Sequence, residues 1–161
     1  MRRASGLAVM ALALAACGVH TARPVGVSAT HDVDRFVEAA PFGRLELGQL
    51  FADSSRGNRL ADTLYQLLPD EGSGITSLTL HLAPDRRITA IDIAYGPLRR
   101  YADEVAQARG RLGDPSRTRT DDDGSQYTTW QDARTRFELV GRVFSNRSAV
   151  TGRLTDLLLA R

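Results

Sequence analysis

Lysine is absent from the 161 residues, so all 21 basic side chains are arginine. A GC-rich coding bias accounts for that without any functional demand. A single cysteine excludes an intramolecular disulfide and any cysteine-rich zinc site. The three histidines, His20, His31 and His81, fall at neither i, i+4 nor alternate positions, so no local metal-ligand signature exists. There is no Gly-x-Ser-x-Gly elbow for a nucleophilic serine. The apolar stretch Leu7–Leu14 is far short of the roughly 20 residues that cross a bilayer as a helix. What remains, 42% apolar and 25% charged, is the composition of one globular domain.

The N-terminus is the most informative segment. Arg2 and Arg3 form a positive start, Leu7–Leu14 an apolar centre, and Ala15 and Ala16 a small-residue exit, the pattern of a signal peptide. The run Leu14-Ala15-Ala16-Cys17 closely resembles the lipobox of bacterial lipoproteins. That resemblance implies cleavage before Cys17, a diacylglycerol on its thiol and acylation such as palmitate on its new amino group. The alternative is an ordinary secretory signal with a cysteine at its end. Two or three acyl chains give stable anchoring where one does not. Expected boundaries are therefore a signal peptide over 1–16, a lipidated Cys17 with a flexible tether over 17–30, and one domain over 31–161. The Gly-, Pro- and Ser-containing stretch 18–30 reaches roughly 20 Å as a coil, which keeps the domain near the membrane. Gly18, where an Asp would hold an enteric lipoprotein in the inner membrane, points to the periplasmic face of the outer membrane. Loss of Arg2 and Arg3 leaves 19 arginines against 19 acidic residues. The basic sequence pI of about 9.1 belongs to the precursor and gives no ground for nucleic-acid binding.

Along the domain, Val33, Phe36, Val37 and Ala40 share one helical face, which predicts a helix over 31–40, followed by a short strand over 44–47. Leu60, Leu64, Leu67 and Leu68, with Asn58 as cap and Pro69 as stop, predict a second helix over 58–68. Leu78, Leu80 and Leu82, then Ile91, Ile93 and Tyr95, alternate with polar or small residues around Ala83–Arg87, which predicts a hairpin. A helix is expected over 97–112, stopped by Gly113 and Pro115. Strands follow near 116–120, 126–131 and 134–140, the first two joined by an Asp-Gly turn at 121–124. Residues 150–160 suit a helix or a strand, and Gly152 favours the strand. The expected class is α+β, an antiparallel sheet with two helices packed on one face, in successive helix-strand-strand units. The segment Tyr101…Leu112-Gly113-Asp114-Pro115…Trp130 resembles the helix–Leu-Gly-x-Pro–strand–Trp pattern of small outer-membrane-assembly lipoproteins of the SmpA/BamE type. It covers residues 101–130 and implies kinship of fold.

Candidate chemistry is sparse. Asp121-Asp122-Asp123-Gly124 lacks the glycine and glutamate placements of a calcium loop and reads as a turn. Asp92, Asp103, Glu104, Glu138 and Asp156 offer carboxylates for a paired-acid mechanism, with no spacing that selects two of them. Arg99 and Arg100 open a helix where cations are disfavoured, which marks a contact surface or pairing with Asp103 and Glu104. Tyr127 and Trp130, three apart on a strand, must point to opposite faces. The reading is a non-enzymatic, lipid-anchored periplasmic protein that binds or scaffolds another envelope protein. Its sites are Cys17 for the lipid and Arg99, Arg100 and Trp130 for contact. No cofactor beyond the covalent lipid and no metal is expected. The alternatives are a small cell-wall hydrolase and an inhibitor of a lytic enzyme.

Overall fold

Strict alternation builds the centre of the molecule. In the computed structural model, which describes residues 32–52, 57–144 and 147–160, Leu78 and Leu80 stand directly opposite Ile93 and Ile91, all buried. A bulge beside His81 and Leu82 brings Ile88 opposite Leu82, so the apolar face continues to the strand end. The expected signal, Cys17 and the tether lie outside the described residues.

In chain order the elements are β1 (Phe36–Ala39), β2 (Gly43–Glu46), β3 (Asn58–Ala61), β4 (Leu64–Leu67), β5 (Ile75–Leu82), β6 (Ile88–Tyr95), α1 (Tyr101–Leu112), β7 (Arg117–Thr120), β8 (Gln126–Gln131), β9 (Thr135–Phe144) and β10 (Arg147–Asp156). Eight strands form one sheet in the order β3-β4-β5-β6-β10-β9-β8-β7, every neighbouring pair antiparallel. At about 4.8 Å per strand it is about 34 Å wide. The hairpin β1–β2 and the helix α1 contribute to the same apolar core.

This corrects the expected class. The structure is mostly antiparallel sheet, 51% strand and 12% helical, with one α-helix among the described residues rather than two. The segment expected as a helix over 31–40 instead supplies β1, which pairs with β2 from Phe36↔Glu46 to Ala39↔Gly43. The segment expected as a helix over 58–68 is the hairpin β3–β4. Its leucine stripe is not a core face: Leu60 and Leu68 are each more than half exposed. Burial instead follows Tyr65 and Leu67, two apart, as on a strand. The third expected helix begins at Tyr101 rather than Pro97, because Gly96–Arg99 closes a turn, the Arg99 N–H donating to the Gly96 carbonyl, with Pro97 at its second position. The C-terminal segment is the strand β10, and it lies at the middle of the sheet.

The helix is pinned at both ends. The Tyr101 ring lies on Gly141 of β9, where a Cβ would sit 2.6 Å from it, and its hydroxyl pairs with Thr128 Oγ1 at 2.6 Å. At the other end Gly113, at φ +76°, ends the helix, and its carbonyl accepts from Trp130 Nε1 at 2.9 Å. A third anchor joins the start of the described chain to the sheet. Arg35 Nη2 lies 2.6 Å from Asp156 Oδ2, a fully buried carboxylate, and the Val33 N–H donates to Asp132 Oδ2 at 2.8 Å.

Candidate functional site

The two faces of the sheet differ in chemistry. Core side chains, α1 and β1–β2 occupy one. On the other, strand register aligns a row that crosses all eight strands: Asn58, Gln66, Thr79, Asp92, Arg153, Glu138, Thr129 and Arg117. Every member is polar. Thr151 and Arg153 stand exposed on the central strand β10, so this face is open at its middle. On this face His81 Nε2, from the position beyond Thr79, lies 2.6 Å from Asp92 Oδ2, and Arg153 lies 3.5 Å from Asp92 Oδ1. Thr129 donates to Glu138 at 3.3 Å.

The same register places Arg117, Arg119, Arg136, Arg142 and Arg153 on this face, against Asp92 and Glu138. Arg119 lies over the Tyr127 ring at 3.7 Å and pairs with Asp121. Arg136 donates to Gln131 at 2.8 Å. The cations gather on the half formed by β7–β10, so a chain whose formal net charge is only +2 carries a basic half-face.

Beneath α1, on the opposite face, lies a cavity of about 240 Å³. Its floor is apolar, with Ile93, Phe137, Leu139 and Leu154 among its lining, and its mouth carries Asp34, Arg99 and Arg111. Glu104 of α1 is buried, and its Oε1 accepts no hydrogen bond from the described residues. Arg99 Nη1 lies 3.0 Å away, a charge contact outside hydrogen-bond geometry. Burial, and after it the charge of Glu104, pushes the Tyr95 phenol up to about 12. Arg111 is paired with Asp34 at 3.3 Å.

The residues singled out in the sequence are scattered. Arg99 closes on Glu104, as pairing one turn along predicts, and Arg100 is exposed at the start of α1. Trp130 is buried and stacks on Phe137 at 5.9 Å, while Tyr127 is half-exposed on the other face. Trp130 therefore serves the core and offers no contact surface. Asp92 and Glu138 share a face with Arg153 between them. Glu104 lines the cavity, Asp103 is exposed on α1, and Asp156 is locked by Arg35. Residues 121–124 form a turn, Gly124 at φ +80°, its N–H donating to the Asp121 carbonyl. No group of three metal-ligating side chains occurs among the described residues. No described helix is long and apolar enough to cross a membrane. The sequence reading missed the basic half-face and the cavity that Tyr95 and Glu104 both line, because both depend on register and on which helix face meets the sheet.

The chain matches no family model, no curated protein and no solved structure.

Proposed function

We propose that this protein is a non-catalytic binding module of the bacterial cell envelope, anchored by lipid on Cys17 at the periplasmic face of the outer membrane. Its open sheet face receives an acidic surface of another envelope protein. The observation that carries this reading is the basic half-face: five arginines against Asp92, Glu138 and the Asp121 that pairs with Arg119, on strands that no core requirement obliges to be basic. Charge complementarity of this kind sets partner choice and encounter rate more than raw affinity. The lipobox resemblance supports the anchoring.

The test is in-cell photo-crosslinking of the full chain from two positions, Thr151 on the open face and Ala106 on the exposed side of α1. A discrete adduct from Thr151, absent from Ala106 and lost when Arg142 and Arg153 are changed to Glu, is the expected result. Equal adducts from both positions, or an adduct that survives charge reversal, overturns the assignment of the face. Anchoring is tested separately: Cys17→Ala accumulates uncleaved precursor or leaves the membrane fraction. A mutant processed and membrane-bound like wild type removes the lipoprotein reading.

A further inference from the structure

The cavity under α1 makes a demand that the open face does not. A buried carboxylate oxygen without a hydrogen bond is costly, so in a native structure it calls for an explanation. Glu104 Oε1 has the Arg99 charge beside it, so its ionisation is compensated, but its need for a proton donor is unmet. The Tyr95 hydroxyl lines the same space and makes no hydrogen bond among the described residues. The phenol is protonated through the neutral range, able to donate as well as accept. The floor beneath these two groups is hydrocarbon.

We propose that this cavity is a binding site for a small neutral amphiphile: a hydroxyl head on an apolar body of about ten heavy atoms. Size follows from comparison, since a dry cavity of about 150 Å³ holds benzene and this one is about 240 Å³. The head group follows from charge. Glu104 is paired with Arg99 and Arg111 with Asp34, while Glu38, the remaining charge of the lining, is exposed to solvent, so the charges beside the buried end of the site are compensated. A hydroxyl donates to Glu104 Oε1 and accepts from Tyr95 without adding charge. The apolar body replaces water over Ile93, Phe137 and Leu154. This site lies on the sheet face opposite the basic half-face, so it stands or falls independently of the partner reading.

The test uses the mature chain in detergent and three probes of one shape: cyclohexylmethanol, cyclohexylmethylamine and cyclohexanecarboxylate. NMR shifts of the Tyr95, Ala108 and Leu154 amides report occupancy. Saturable shifts are expected with the alcohol and clearly weaker binding with both charged isosteres. Glu104→Leu is expected to weaken the alcohol about tenfold, the loss of one charge-assisted hydrogen bond. Glu104→Gln, which keeps the shape, serves if the leucine variant does not fold, and is expected to weaken the alcohol in the same direction. Non-saturating shifts with the alcohol, or binding indifferent to the residue at 104, overturn the site. Amine or carboxylate binding as tightly as the alcohol overturns the neutral class.

Discussion

The two faces of one sheet place opposite demands on the same strands. On the covered face, Leu67, Leu78, Leu80, Ile88 and Ile91 are completely buried, and each is held by volume. On the open face, Thr, Arg, Gln and a His–Asp pair occupy the alternate positions of those and neighbouring strands. Because side chains alternate with a period of two, every strand residue belongs to one regime or the other. The covered face specifies the fold; the open face is left free to specify a partner. The contrast lies between adjacent residues, such as Trp130 in the core and Thr129 outside it.

Mutations that separate the faces should differ in size accordingly. Trp130→Ala is expected to cost about 3–5 kcal/mol in urea unfolding, since it empties a packed site and frees the Gly113 carbonyl that ends α1. Asp156→Ala should cost about 3 kcal/mol, toward the low end for a broken buried pair because Arg35 keeps some access to water. The same residue sets a pH dependence. Burial alone would raise the Asp156 carboxyl, but the hydrogen bond from Arg35 and the N–H groups of Leu158 and Leu159 outweigh it and hold the group below its usual range. Asp132 is lowered likewise against its burial, by the N–H groups of Arg134, Val33 and Thr135. Their stabilisation is fully present above the unfolded value of about 3.9 and is lost as pH falls through the lower folded values. Wild-type unfolding midpoints should thus drop in acid below about pH 4, and the Asp156→Ala profile should be flatter there. Gly141→Ala should cost about 1–3 kcal/mol, because the new methyl meets the Tyr101 ring. A normal thermal midpoint for this variant would mean that α1 docks without that contact. At the small end, Arg142→Ser on the open face should shift stability by no more than about 0.5 kcal/mol while weakening the Thr151 crosslink. A large stability loss there would erase the distinction between the faces.

Much of the sheet was legible because alternation and turn chemistry agreed. Leu78, Leu80 and Leu82 with Ile91, Ile93 and Tyr95 gave the central hairpin, Gly152 favoured a strand at the C-terminus, and parity put Tyr127 and Trp130 on opposite faces. Two helices were misread because leucine spacing at 60, 64, 67 and 68, and apolar spacing at 33, 36, 37 and 40, coincides with the helical period. In the first case Asp62 and Thr63 make a turn between β3 and β4, and of the stripe only Leu67 enters the core. Tertiary pairing outweighed local periodicity at both places. The candidate sites were less legible. Tyr95 and Glu104 are nine residues apart and meet only because α1 folds back across β9 and lays Glu104 over the sheet. The arginines of the open face come from three strands, β7, β9 and β10, whose register no local pattern records.

The clamp of Val33 and Arg35 on Asp132 and Asp156 has a mechanical consequence. Any pull on the chain N-terminal to residue 32 arrives first at these bonds. They deliver it to the loop before β9 and to the end of β10, two neighbouring strands in the interior of the sheet. Tension is then shared between neighbours on both sides instead of peeling an edge strand away. A domain tied to a moving surface by a short leash would keep its shape under load because the leash is fastened to its middle.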